Sequence, residues 1–420
     1  METLELSTEQ ANALNMLRSG ENVFLTGAAG TGKSTVVRQF VKETNSKLFP
    51  VLASTGAAAV LVGGRTFHSF FGLGIMDGGL DRVVERATGN KRVVSRIKNV
   101  EGIIIDEISM LSGETLKAAE LISRMCRGEP SLPWGGMQVI AVGDFAQLPP
   151  VERGYGHQKP WAFKDPVWKR SGFVNCMLTK IQRSQDVEFL EVLNQVRVGD
   201  VTPQVQEFLD SRSADVSEAF SATRLFPRRN QTEKFNKIKL DEIESELVSF
   251  PSEYMGRARD VDKLKKQSPV PEVLQLKQGA FLMMRQNDPK QRWVNGSLGY
   301  LEEIIDDKLL IRLVHNDRFV ALEKATFSML DAEGEVIAAI RNFPVSLAYA
   351  ATIHKAQGLT LDAAVVDVSS LWEPGQAYVA LSRVTHTEGL YIHNWDRRSI
   401  KADPAVTHFY SSILSDSSIG

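Results

Sequence analysis

The residues of this chain that could do chemistry fall into a few short stretches. "GAAGTGKS", Gly27 to Ser34, follows the apolar run "NVFLT" and precedes the helical "TVVRQFVKET". Strand, glycine-rich turn, Lys-Ser and helix in that order make a phosphate cradle. Glycines let backbone N–H groups turn inward, and the helix N-terminus adds its positive dipole. Gly27, Ala28, Ala29, Gly30, Thr31, Gly32 and Thr35 would line that cradle, Lys33 would neutralise the β- and γ-phosphates, and Ser34 would ligate Mg²⁺. "IIIDEISM" supplies the complement. Its isoleucines build a buried strand, Asp106 at the strand end reaches the metal, and Glu107 orients and deprotonates an attacking water. An acidic pair after a strand is often only a solvated strand end; downstream of a phosphate cradle it reads as hydrolysis rather than storage of nucleotide. "VGDFAQLPPV", Val142 to Val151, is a third such strand end, on which Gln147 would touch the γ-phosphate or its water. Gln10, in "LSTEQANAL", carries a carboxamide that can meet both donor and acceptor on the adenine edge.

"TIHKAQGLTLD" is harder to place. His354 and Lys355 end a run of small apolar residues, where a histidine is usually a core residue, and Gly358 is suited to closing the preceding helix in left-handed geometry.

The elements that must position these groups are legible in outline. In the first 180 residues "NVFLTG", "KLFPVLAS", "EGIIIDE" and "GMQVIAVGD" are compact apolar runs, the pattern of buried parallel strands in an α/β domain. "GGRTFHSFFGLGIMDGGLD" is glycine-rich and poorly periodic, and is expected to be a protruding loop. From about Asp186 the pattern is helical, with Gly199 capping "VEFLEVLNQVRVG". Between Gly279 and Phe343, short strands alternate with Asp-Asp, Asn-Asp and Asp-Ala-Glu-Gly turns, which predicts a small β-barrel or meander. "AAVVDVS" and "EGLYIH" then resume the α/β pattern, and "SSILSDSSIG" is expected to fray. The simplest architecture is two α/β domains, the second interrupted by an all-β insertion.

With 49 basic and 51 acidic residues the net charge is −2, so nucleic acid could be held only by local basic surface. Two stretches qualify, residues 81–98 and "RLFPRRNQTEKFNKIK", although a solvated helix face is the simpler account of either taken alone. Cys126 and Cys176 stand alone, which argues against disulfides and zinc and fits a reducing compartment. "METLELSTEQ" is acidic where a signal peptide would be basic, and no run is long enough for a membrane span.

In their order, "GAAGTGKS", "STGAAAVLVGGRTFHSFFGLG", "IIIDEISM", "PWGGMQVIAVGDFAQLPPV", "WVNGSLG", "TIHKAQGLTLD" and "AYVALSRV" resemble the motifs of PIF-type (petite integration frequency) DNA helicases. These belong to the branch of superfamily 1 that moves 5′ to 3′. The resemblance implies ATP and Mg²⁺ as cofactors, and single-stranded DNA and forked or tailed duplex as partners. No membrane is implied, and a monomer suffices, with oligomers on DNA left open. It also implies two RecA-like domains with parallel sheets: 1–180, bearing a wedge loop at about 64–82, and 181–228 with 343–420, around an insertion at 229–342 with a basic helical segment and an SH3-like barrel.

Residue by residue, the resemblance makes Arg183 in "LTKIQRS" and Arg383 in "YVALSR" γ-phosphate contacts. Phe67 and His68 become stacking or bonding contacts to the strand, Phe70 and Phe71 being equally well core residues. His354 and Lys355 would hold strand phosphates, with Gln357 and Gly358 nearer the nucleotide and Trp293 and Asn295 near the base of the barrel. Ser184, Ala356 and Trp134 depart from the family's usual Gln, Ser and Phe. A chain little longer than the motor core suggests a cytoplasmic protein of bacterial or phage origin, or a trimmed one; a eukaryotic chain would be nuclear or mitochondrial. The alternatives are a RecD-like helicase of the same superfamily, an RNA helicase, and a nucleotide-gated single-strand clamp that does not unwind.

Overall fold

Isoleucine, valine and phenylalanine in runs of five give strands that must be covered on both faces. β1 (Val23–Gly27), β2 (Val51–Ala53), β3 (Arg65–Thr66), β4 (Gly102–Asp106), β5 (Gln138–Val142) and β6 (Val174–Leu178) form one sheet in the order β3-β2-β4-β5-β1-β6, and all its pairings are parallel. Alternation splits its side chains between two cores. Phe24, Ile103, Ile105, Val139 and Ala141 enter one, while Val23, Leu25, Ile104, Ile140 and Val142 enter the other. This computed structural model describes residues 6–62, 65–74, 76, 78–150, 159–182, 186–213, 222–290, 292–331 and 335–417.

The chain divides into two compact units. The first is Met1–Gln185 with Met329–Val336 and Asp403–Gly420; the second is Asp186–Ser328 with Ile337–Ala402. The predicted scheme grouped 343–420 with the second α/β domain, but the helix Pro404–Ser417 packs in the first unit. Its Val406, Tyr410 and Ile413 join the core that covers one face of the six-stranded sheet. The tail expected to fray is helical as far as Ser417.

In the second unit, β7 (Thr223–Phe226) is separated from the strands it pairs with by more than a hundred residues. The intervening chain contains β8 (Val248–Pro251), β9 (Glu253–Gly256), β10 (Val273–Leu276), β11 (Phe281–Met284), β12 (Leu298–Ile305), β13 (Lys308–Leu313), β14 (Phe319–Glu323), β15 (Ala325–Leu330), β16 (Val336–Asn342) and β17 (Val345–Leu347). After them come β18 (Ala350–Thr352), β19 (Ala364–Val368) and β20 (Leu390–Trp395), which join β7 in one parallel sheet of order β18-β7-β19-β20. β14-β13-β12-β11-β17 is a five-stranded antiparallel sheet. Its core includes Leu282, Met284, Leu301, Leu309, Ile311 and Leu322. The turns read from sequence lie where expected, with Asp306 and Asp317 at φ 51° and 52°, a conformation that suits aspartate better than most residues. The Asp-Ala-Glu-Gly turn falls largely outside the described residues.

"RTFHSFFGLG", from Arg65 to Gly74, is not a protruding loop. It makes β3 and a short helix, Phe67–Phe71, whose Thr66 cap accepts the Ser69 N–H at 3.1 Å. Phe67, Phe70 and Phe71 stand at helical spacing and are fully buried. Arg96, expected on a solvated face, is buried too and donates to the Phe70 carbonyl at 2.8 Å.

Candidate active site

In the first unit the C-terminal ends of β1, β4, β5 and β6 lie along one edge of a parallel sheet, where α/β folds collect their ligands. β1 runs into the loop Gly27–Gly32, and the helix Lys33–Glu43 starts directly after it. Gly32 must be glycine: its φ is +89°, and a Cβ there would lie 2.1 Å from Gln10 Nε2. Lys33 folds over its own loop and donates to the carbonyls of Gly27 and Ala28 at 2.8 and 3.0 Å. Thr31 is buried and donates to the Ala28 carbonyl, whereas Ser34 is exposed on the first helical turn.

Two consecutive residues of the helix Thr8–Arg18 reach this region, Gln10 the loop itself and Glu9 the segment after β6. Gln10 accepts the Ser7 N–H at 3.0 Å and donates to the Thr31 carbonyl at 3.3 Å. That leaves its carboxamide one N–H and one lone pair, the pair an adenine edge requires. Glu9 accepts the Thr179 and Lys180 N–H groups at 3.1 and 3.0 Å and a bond from the Thr179 hydroxyl. Burial acts to raise the Glu9 carboxyl, but these bonds outweigh it and hold the group below the usual range. The segment after β6 also reaches the cradle, since the Gln182 N–H donates to the Gly30 carbonyl at 2.9 Å. Arg183 and Ser184 lie outside the described residues.

Asp106 ends β4. Burial pushes its carboxyl above the usual range, while the Glu107 N–H, at 3.0 Å, and the Lys33 ammonium pull it back. A buried carboxylate beside one cation is a site that a second cation would stabilise, so the residues present fit Mg²⁺. Glu107 departs sharply from the strand, with φ 54° and ψ 51°, a left-handed conformation that a non-glycine residue adopts at a cost of about 1–2 kcal/mol. The loop after β5 packs beside it, for a Cβ on Gly143 would lie 3.1 Å from Ile108 N. Gln147 is buried in the same loop, its N–H donating to the Asp144 carbonyl at 3.0 Å. Lys33, Asp106, Glu107, Gln147 and Gln10 are thus gathered at one sheet edge.

One expectation on this unit changes. Phe67 is fully buried and its ring centroid is 4.9 Å from that of Phe71, so it is a core residue with no face for a base. His68 is half-buried, and burial lowers its imidazole below the usual range.

The second unit carries the other sequence-selected residues. Thr352 caps a four-residue helix, Ile353–Ala356, accepting the Lys355 N–H at 3.2 Å. Ile353 and Ala356 face inward; His354 and Lys355 are exposed, so His354 is not a core histidine. Gly358 follows at φ +77° with nothing within 4 Å of a Cβ, so backbone conformation alone favours glycine there. Protein packed around the two exposed side chains still disfavours their charged forms. Burial lowers Lys355, the neighbouring Arg285 and Arg229 lower it further, and Glu233 opposes; burial lowers His354, opposed by Glu373.

Arg285 was not legible in the sequence. It is 8% exposed, its Nε has no partner among the described residues, and burial pushes its guanidinium down to about 10. Among the described residues Trp293, itself buried, has no partner for its Nε1 and Asn295 none for its Oδ1, so the connection between β11 and β12 carries, with Arg285 Nε, three polar atoms without a described partner. Trp372, 43% exposed with Arg228 5.2 Å from its ring centroid, is a further exposed aromatic that sequence reading passed over. The basic helix Arg229–Asp241 is partly neutralised by its own i,i+4 pairs, Arg229–Glu233 and Lys237–Asp241.

Arg383 does not extend as a free arm. It is 2% exposed and donates to the carbonyls of Val379 at 2.7 Å, Ala356 at 3.2 Å and Leu359 at 3.3 Å, and to Ser382 Oγ at 2.7 Å. Here it ties the helix Gln376–Leu381 to the turn that ends the His354 helix; reaching a phosphate would mean giving up these bonds.

The family model for PIF1-like helicases matches residues 5–207. The ATP-dependent DNA helicase Pif1 of Bdellovibrio bacteriovorus is 54% identical over 407 residues, covering 97% of this chain and 92% of that one. The chain belongs to the PIF1-like helicase family. The family's ATP-dependent DNA helicase from Xenopus laevis is 34% identical over 414 residues; this chain covers 64% of its length. Among solved structures, Bacteroides sp Pif1 in complex with ADP-AlF4 superposes with a TM-score of 0.86 at 30% identity, covering 99% of this chain and 98% of that one. The two α/β units and the β-rich insertion are therefore the fold of this family.

Proposed function

We propose that this chain is an ATP-dependent DNA helicase that translocates 5′ to 3′ on single-stranded DNA and unwinds duplex ahead of it. The observation that carries the reading is the convergence of Lys33, Asp106, Glu107 and Gln147 on one sheet edge, in a chain whose relatives are ATP-dependent DNA helicases. Glu107 takes the proton of the attacking water, and Lys33 moves from its carbonyls to the phosphates. Ser34 and Asp106 would hold Mg²⁺, which neutralises phosphate charge when bound. Gln10 reads the base edge with the N–H and lone pair it has left. In the second unit the exposed His354 and Lys355, with Arg285 and Arg229 beside them, present the basic surface that strand phosphates require. Trp293 and Asn295 add buried polar atoms that lack a hydrogen-bond partner among the described residues. The direction of travel rests on the order of motifs.

The test is strand displacement with ATP and Mg²⁺ on two partial duplexes, one with a 5′ tail and one with a 3′ tail. Opening of the 5′-tailed duplex alone, abolished in Lys33→Ala, is the expected result. Opening of only the 3′-tailed one assigns the chain to the other polarity. ATP hydrolysis on single strands with neither duplex opened makes it a clamp.

A further inference from the structure

The helix Pro404–Ser417 brings one polar atom to the ATP site from the far end of the chain. Most of its contact is packing: the Phe409 ring stacks on Phe163 at 4.3 Å and stands 5.6 Å from Phe145. Tyr410 is 6% exposed, and its ring belongs to the same core. Its hydroxyl does something that packing does not need. The phenol oxygen lies 2.8 Å from Thr26 Oγ1, accepts the Phe145 N–H at 2.9 Å and donates to Asp144 Oδ1 at 3.1 Å.

Donors and acceptors fix the direction of these bonds. Asp144 Oδ1 also accepts the Ala146 N–H at 3.1 Å, so it is an acceptor and the phenolic proton goes to it. Thr26 then donates to the phenol oxygen. Thr26 directly precedes Gly27, the first residue of the phosphate loop. Asp144 begins the turn that carries Gln147, closed by the Gln147 N–H on the Asp144 carbonyl at 3.0 Å. One buried hydroxyl therefore bridges the root of the loop that holds the triphosphate and the turn that bears Gln147.

We propose that Tyr410 is a positioning residue of the ATP site, fixing the Gln147 turn relative to the phosphate loop. The proposal rests on the reading of Gln147 given above. Removing the hydroxyl keeps the ring but leaves the Phe145 N–H and the Asp144 carboxylate, both buried, each short of a partner. The turn then settles elsewhere. The cost falls on turnover rather than on nucleotide binding, because the cradle itself is untouched.

Four variants of the full chain test this by single-strand-stimulated ATPase kinetics and thermal melting: Tyr410→Phe, Gln147→Ala, their combination, and Phe409→Leu. Tyr410→Phe is expected to lower kcat about tenfold with the KM for ATP within about twofold of the parent. Because both act through one turn, the double variant should be no slower than Gln147→Ala alone. Phe409→Leu loses a stacked ring but no hydrogen bond, so it should lower Tm at least as far as Tyr410→Phe and keep kcat below its melting range. A Tyr410→Phe variant within about twofold of the parent kcat, beside a slow Gln147→Ala, overturns the inference alone. Losses that multiply in the double variant overturn it as well. A Gln147→Ala variant at the parent rate removes the reading of Gln147 and, with it, the proposed route from Tyr410.

Discussion

At the residue scale Glu107 departs from the geometry its residue type prefers. The acidic pair after three isoleucines was legible as chemistry, because carboxylates at the end of a buried strand behind a phosphate loop have few other uses. Its left-handed backbone was not legible, since glutamate has no local preference for φ 54° and the turn depends on a loop packed from β5. Glu107→Gln should lower the hydrolytic rate about 10²–10⁴-fold while fluorescent ATP-analogue binding stays within about threefold, since the amide keeps the shape but cannot take a proton. Equal loss of binding and turnover would instead place Glu107 in the cradle. Phe67 shows the opposite failure. Three aromatics at 67, 70 and 71 have the spacing of a buried helical face, but glycines on both sides hid a five-residue helix, and the rings went into the core. Arg383 shows the limit of reasoning from motif order, which marks a residue as important without saying whether it faces a ligand or four partners of its own unit.

At the element scale, the helix Ile353–Ala356 is too short for hydrophobic periodicity to register, though Gly358 correctly marked the left-handed residue that follows it. Four residues cannot hold a helix in isolation, so the Thr352 cap carries much of the responsibility for where His354 and Lys355 point. Two substitutions should therefore weaken single-strand binding in different ways. Lys355→Ala removes a charge, and the slope of log K against log salt should fall by about 0.7. Thr352→Ala removes a cap worth about 0.5–2 kcal/mol, so affinity should drop with the slope unchanged. Fluorescence anisotropy across a salt series separates the two, and a parallel change in slope would show that losing the cap removes the Lys355 contact itself.

At the scale of the whole molecule, the sequence revealed two α/β patterns and an all-β interruption, because strand runs and turn residues are local signals. It did not reveal that the last helix belongs to the first unit. Neighbours in sequence are usually neighbours in space, and the apolar spacing of Val406, Phe409, Tyr410 and Ile413 names no partner. Both cysteines are buried in the first unit, on the helix Gly113–Arg127 and on β6, and can report its opening. Burial raises both thiols, and with the Glu9 carboxylate adding to it Cys176 reaches about 11. Aromatic disulfide reagents at pH 8 should thus label native protein slowly and unfolded protein at once, with a native rate that climbs about tenfold per pH unit. The sign for stability follows: the fold excludes the Cys176 thiolate, so stability is kept below about pH 8.5 and declines as pH rises toward 11. Fast native labelling at pH 8 would mean that the first unit opens locally.

The return of the C-terminal helix also has a consequence in time. A ribosome finishes residue 185 more than two hundred residues before it delivers Tyr410. At about 5–20 residues per second, the nascent first unit waits on the order of ten to fifty seconds without the aromatic plug of its core. A chain still in synthesis therefore has its phosphate loop more than two hundred residues before it has the hydroxyl proposed to steady the turn beside it.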